Sequence, residues 1–125
     1  MSFGSPAQDF SQPGLDLNQL LIRHPNGTYF VRMEGNAMLG GGIKDGDLLL
    51  VDRAIKVQSD NIVVCTLNKE FYVRKFKTHQ DRPLLLAHDG TSTTRYFIKA
   101  EDEFSIWGVV TAIIRPLDPL HVHLD

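Results

Sequence analysis

The sequence predicts a mainly β domain of strongly curved antiparallel or mixed sheets with one short N-terminal helix. Three observations carry that expectation. Seven segments rich in Val, Ile, Leu, Phe and Tyr make up about 40% of the chain, roughly twice the strand content of an average domain. Only one short stretch has helical spacing. Turn-forming pairs punctuate the rest. With 125 residues, the chain has the length of one domain and can bury a core without disulfides or metals.

Residues 1–14, MSFGSPAQDFSQPG, hold two Pro, two Gly and three Ser and are expected to form a flexible arm. Phe3 and Phe10 would be its partner contacts. The domain proper is expected over 15–116 and a tail over 117–125. A helix should start at Asp16 as N-cap, with Gln19 at the capping-box position and Leu17, Leu20 and Leu21 on one face. His24-Pro25-Asn26-Gly27 ends it. Strands follow over Thr28–Met33, Asp47–Asp52, Asn61–Leu67, Glu70–Lys77, Pro83–His88, Thr94–Lys99 and Phe104–Ile114. Asn68-Lys69 is read as a two-residue hairpin turn and Asp89-Gly90 as a second turn.

Composition excludes several function classes. Thirteen Lys and Arg against fifteen Asp and Glu leave a formal charge of −2, so no basic surplus supports tight or specific DNA binding. No apolar run reaches the roughly 20 residues that span a bilayer, and no signal-peptide h-region is present, so a cytoplasmic protein is expected. The loop Gly40–Asp47 lacks the Gly-Lys-Ser/Thr ending of a phosphate loop and reads as bent backbone. Cys65, within an apolar run, reads as a core residue rather than a nucleophile. His121 and His123 share a strand face but lack further ligands, so neither metal nor cofactor is expected. Asp45/Asp47 and Glu101/Asp102/Glu103 read as turn residues and solvated rims.

The segments Leu15–Ile22, Thr28–Val31, Gly35-Asn36-Ala37-Met38, Gly41–Ile43, Asp45–Leu49, Val51-Asp52, Glu70–Val73 and Trp107–Val110 resemble, in order and spacing, the UmuD family of LexA-like self-cleaving peptidases. The resemblance runs from about Ser5 to Arg115. It implies a serine–lysine dyad that cuts the protein's own N-terminal arm. The family's serine lies in Gly-x-Ser-Met, and here that position holds Ala37. A methyl group cannot attack a carbonyl. The family's lysine falls on Arg74, which stays protonated and cannot serve as the base. Lys75 should point to the opposite face. Asn36, Met38 and Tyr72 are the expected pocket residues, and the backbone N–H near Ala37 the oxyanion donor. Ser5, Ser11 and Ser59 fall in expected loops away from the motif.

Met1–Pro6 aligns with the residues around the family's cut, so the resemblance implies a chain equivalent to the processed form, UmuD′. It further implies a non-catalytic accessory subunit of an error-prone, polymerase V type translesion polymerase in the SOS response. The implied partners are a second copy in a homodimer, a UmuC-type polymerase subunit, the RecA filament and full-length UmuD as a heterodimer. The alternative is a LexA- or phage-repressor-like dimerisation module, which would need a partner to read DNA. Phe104–Ile114, with Trp107, is the candidate dimer strand.

Overall fold

β-Branched and aromatic residues alternate with polar ones through most of the second half of the chain, and there the backbone pairs continuously. The computed structural model describes residues 14–120. Residues 1–13 of the expected arm and residues 121–125, including His121 and His123, lie outside the described residues. Helix α1 (Leu17–Leu21) is capped by Asp16, whose carboxylate accepts from the Asn18 N–H at 2.9 Å. Leu17 and Leu20 stay exposed, so the apolar stripe read from the sequence is not buried among the described residues. A 3₁₀ turn, Pro25–Gly27, then leads into the sheet.

The strands are β1 (Thr28–Arg32), β2 (Leu48–Asp52), β3 (Ile62–Leu67), β4 (Glu70–His79), β5 (Arg82–His88), β6 (Thr93–Phe97) and β7 (Phe104–Ile114). They form one antiparallel sheet in the order β1-β2-β7-β3-β4-β5-β6. Every strand expected from the sequence is present. Asn68 and Lys69 turn β3 into β4 with φ of 52° and 75°, the double positive φ that matches the twist of a two-residue hairpin. Gln80 and Asp81 make the same turn between β4 and β5, at φ of 51° and 63°.

β7 lies in the middle of the sheet, paired to β2 on one side and β3 on the other. Its backbone edges are therefore filled, and β1 and β6 are the outer strands of the sheet among the described residues. This corrects the edge argument that singled out Phe104–Ile114 for dimerisation. The register against β2 slips between Leu50 and Val51, and against β3 between Val64 and Cys65. These slips leave Thr111 and Trp107 as extra residues in β7, and bulges of this kind bend a strand. Next to the second slip, a Cβ on Gly108 would stand 2.6 Å from Val51 Cγ1, so the close crossing of β7 and β2 requires glycine.

Two core clusters lie on opposite faces. One gathers Met33, Met38, Ile43, Leu49, Val51, Val64 and Val73; the other gathers Val63, Cys65, Leu85 and Val109. Cys65 is fully buried, and burial pushes its thiol up to about 11, with Arg74 pulling weakly the other way. It is a core residue, as its apolar surroundings in the sequence suggest.

Candidate functional site: the Ala37–Arg74 cleft

Gly35 begins the site. Its φ of 82° lets the chain leave β1 sharply and brings its N–H to 2.6 Å from Asp45 Oδ1. Asn36 then accepts from the Asp45 N–H through its side chain (3.1 Å) and from the Leu39 N–H through its carbonyl (3.1 Å). Met38 plunges into the core, and its carbonyl accepts from both Gly41 and Ile43. Ala37 is held between these two anchored neighbours, half-buried.

The far end of the loop is clamped. Asp47 is only 2% exposed, and both its oxygens bond the Arg115 guanidinium, at 2.7 and 2.6 Å. The Lys44 N–H adds 2.7 Å to one oxygen, and Arg115 also donates to the Gly42 carbonyl at 2.9 Å. The Arg115 hydrogen bonds hold the Asp47 carboxyl below the usual carboxylate range against the opposing effect of burial. Asp47 is thus a buried clamp and not part of a solvated rim, which corrects the sequence reading. Asp45, by contrast, does act as a turn residue.

Gly42 and Gly46, at φ of 91° and 88°, supply the bends of the Gly-rich loop. Gly40 answers to space instead: a side chain there would collide with the His88 imidazole on β5. The loop is therefore pressed directly onto β5.

β4 carries the opposing wall. Its pairing with β3 runs unbroken from Glu70 to Lys75, so no bulge rotates either residue 74 or 75. Arg74 consequently shares a face with Tyr72, and Lys75 points to the other face with Val73. Arg74 stands beside Ala37 in the walls of two adjoining clefts, of about 650 and 740 Å³, and Tyr72 is the third residue common to both. Neither Asn36 nor Met38 lines them. Asn36 is turned to Asp45, and Met38 belongs to the core.

The Arg74 guanidinium lies 4.9 Å over the Tyr72 ring and donates to the Val73 carbonyl at 2.8 Å. Desolvation lowers its pKa from the ordinary arginine value, against Cys65 and Tyr72, which raise it. The Tyr72 hydroxyl donates to Glu70 at 2.8 Å, and that bond, followed by desolvation, raises its pKa.

The first cleft is more polar. Asn68, Tyr96 and Asp89 stand in its walls. Asp102 knits this side, accepting from Asn68 Nδ2 (3.0 Å), the Tyr96 hydroxyl (2.8 Å) and the Lys99 N–H (2.8 Å). The second cleft is framed by aromatic groups. Phe71 and Trp107, 68% and 45% exposed, tilt against each other at 5.8 Å. The Trp107 indole donates to Thr66 at 3.1 Å.

Ser59 sits apart, accepting from the Thr78 N–H at 3.2 Å. Ser5 and Ser11 lie outside the described residues. No described helix is long and apolar enough to cross a membrane.

Comparison with known proteins agrees with the fold. Residues 1–111 match the family described as Peptidase S24-like. Protein MucA of Salmonella typhimurium is 38% identical over 109 residues, covering 87% of this chain and 74% of that protein. Protein SamA of the same organism is 39% identical over 112 residues, 90% of this chain and 76% of its own. Protein ImpA of Escherichia coli is 36% identical over 112 residues, 90% and 75% respectively. With a matching family model over most of its length and UmuD-type relatives of this similarity, the chain belongs to the peptidase S24-like family, on its UmuD side.

Proposed function

We propose that this chain is a non-catalytic accessory subunit of an error-prone translesion DNA polymerase in the SOS response, of the UmuD′ kind. The observation that carries the reading is the pair at the junction of the two clefts. Where self-cleavage in the family calls for a hydroxyl and a neutral amine, Ala37 offers a methyl group and Arg74 a guanidinium that remains a cation. Membership of a family that includes MucA, SamA and ImpA supports the accessory role in SOS mutagenesis. In this reading the protein works as a homodimer, binds a UmuC-type polymerase subunit and the RecA filament, and pairs with full-length UmuD. It acts in the cytoplasm, without cofactor, through protein surfaces.

The test is reconstitution. The full chain, a UmuC-type polymerase subunit and activated RecA are combined on a primed template with an abasic site. Extension past the lesion that depends on this chain supports the reading. Unchanged extension in its absence, with no co-purification of the polymerase subunit, overturns it.

A further inference from the structure

Charge is spread unevenly along this chain. Residues 75–99 hold five Lys and Arg against two Asp, while all the others together hold eight against thirteen Asp and Glu. A chain of net charge −2 thus contains a stretch of net +3. That stretch is one end of the sheet: the second half of β4, then β5 and β6.

Strand register decides which of its cations share a face. Lys75 pairs with Leu86 and Leu86 with Arg95; Lys77 pairs with Leu84 and Leu84 with Phe97; His79 pairs with Arg82. Directly paired residues point to the same side of a sheet, and so do residues two apart along a strand. Lys75, Lys77, His79, Arg82 and Arg95 therefore project from one face, opposite to the face that Arg74, Leu85 and Tyr96 give to the first cleft. Lys75 and Lys77 stand about 7 Å apart along β4, and Lys75 and Arg95 about 10 Å apart across β5. Buried Leu84 and half-buried Leu86 and Phe97 form the floor between them.

Little of this charge is neutralised. Asp60 reaches the face, bonding Lys77 at 2.9 Å, and Lys75 also acts on it, so that the two lysines hold its carboxyl below the ordinary range. Asp81 lies in the β4–β5 turn beside Arg82. Lys75 and Arg95 form no ion pair with another described residue. The Arg82 guanidinium lies 4.5 Å over the Phe97 ring, and Arg82 is exposed.

These features select a polyanion with flat groups. Cations at regular spacing suit a chain of phosphates, and a guanidinium already stacked on a ring offers its outer plane to a base. An acidic peptide has no use for that plane. A stiff duplex would run past the patch onto the acidic remainder of the surface, whereas a few nucleotides of flexible single strand stay within it. We propose that the β4–β6 face binds single-stranded nucleic acid without sequence preference, with Lys75, Lys77 and Arg95 on phosphates and Arg82 stacked on a base. The site is separate from the Ala37–Arg74 clefts and stands whether or not the chain partners a polymerase. Binding is local and weak, in keeping with the absence of an overall basic surplus.

The experiment follows the fluorescence anisotropy of a labelled oligo-dT of about 12 nucleotides titrated with the full chain at about 50 mM salt. Binding should saturate, and the logarithm of its affinity should fall against that of salt with a slope of about −2 to −3, the value for three or four phosphates at about 0.7 each. Oligo-U of the same length should bind within about threefold, because the face reads no sugar or base edge. Arg95→Glu should weaken binding at least fivefold. Lys56→Glu, the same charge change at an exposed residue between β2 and β3, should weaken it less than twofold. Thermal midpoints should be unchanged in both, since both side chains are exposed. Arg82→Lys should lose about threefold against oligo-dT and nothing against an abasic oligonucleotide of equal length. An oligo-Glu peptide of equal length should compete at least tenfold less well than unlabelled oligo-dT.

No binding at about 1 mM protein, or equal losses in R95E and K56E, would overturn the site. A slope near zero, or an equal loss of both probes in R82K, would overturn the assigned phosphate and base contacts respectively. Competition by the oligo-Glu peptide as strong as by oligo-dT would overturn the nucleic-acid assignment in favour of an acidic protein partner.

Discussion

The base of the Gly35–Asp47 loop and its active-site end differ sharply in how they are held. At the base, a nearly inaccessible carboxylate takes both arms of one guanidinium and a backbone N–H, and the same arginine reaches back to the Gly42 carbonyl. At the other end, Ala37 contributes a methyl group, and Arg74, which lines the same clefts, forms no ion pair among the described residues. The difference teaches that the loop's shape is set at its base, because the Asp47–Arg115 pair and the Gly40–His88 contact belong to the fold itself and involve neither Ala37 nor Arg74.

Breaking the base should produce the largest effect. Asp47→Ala strands Arg115 and frees the Lys44 N–H, and should cost about 3 kcal/mol, the scale of losing one partner of a buried charge pair that is open on one side. For a domain of this size that is about 10 °C in thermal midpoint. A loss under 3 °C would show that the clamp is not needed.

Gly40→Ala should cost roughly 1–3 kcal/mol by driving a methyl into His88. In the double variant with His88→Ala most of that cost should disappear. A cost unaffected by the second change would point to backbone strain instead.

Acid should loosen the fold in a defined window. Burial works to raise the Asp52 carboxyl, but the His24 bond at 2.7 Å, the Ala54 N–H and Arg23 bring it below the ordinary value. Asp47 is lowered as well. Carboxyls depressed on folding contribute stability that is full above their unfolded value of about 3.9 and lost as pH falls through the folded value. Urea midpoints should therefore hold from pH 7 to about 5 and fall steadily below 4. Asp52→Asn should flatten that fall. An unchanged acid limb in D52N would contradict the assignment.

Much of this was legible in the sequence. Seven apolar stretches became seven strands, and Asn68-Lys69 could be read as a turn from its residues and flanks. Gln80-Asp81 adopts the same turn without the Asn-Gly or Asp-Gly signature that would have announced it. Ala37 facing Arg74 followed from the family resemblance and the two-residue period of β4. The Asp47–Arg115 clamp did not, because its partners lie 68 residues apart and local composition around Asp47 reads as a turn. Nor could the order of strands be read: Phe104–Ile114 looks like a sheet edge until β2 and β3 are seen on either side of it. Long-range pairing leaves little mark on local sequence.

At the active-site end, the comparison sharpens through restoration. Ala37→Ser alone should recover almost no self-cleavage, since the hydroxyl would face a fixed cation instead of a base. Ala37→Ser with Arg74→Lys should recover measurable cleavage of an attached arm, increasing with pH as the lysine loses its proton. Cleavage by the single variant equal to the double would show that Arg74 is not the obstacle.

The most direct test leaves the domain unaltered. The N-terminal arm of a cleavable UmuD relative is fused to this chain, and the product is incubated with activated RecA, or alone at pH 10, then weighed by mass spectrometry. At that pH a dyad lysine is neutral in appreciable fraction, whereas Arg74 stays charged and Ala37 still lacks an oxygen. The account predicts only the intact fusion mass under both conditions; a clean pair of fragments, divided at the arm's cleavage site, would contradict it.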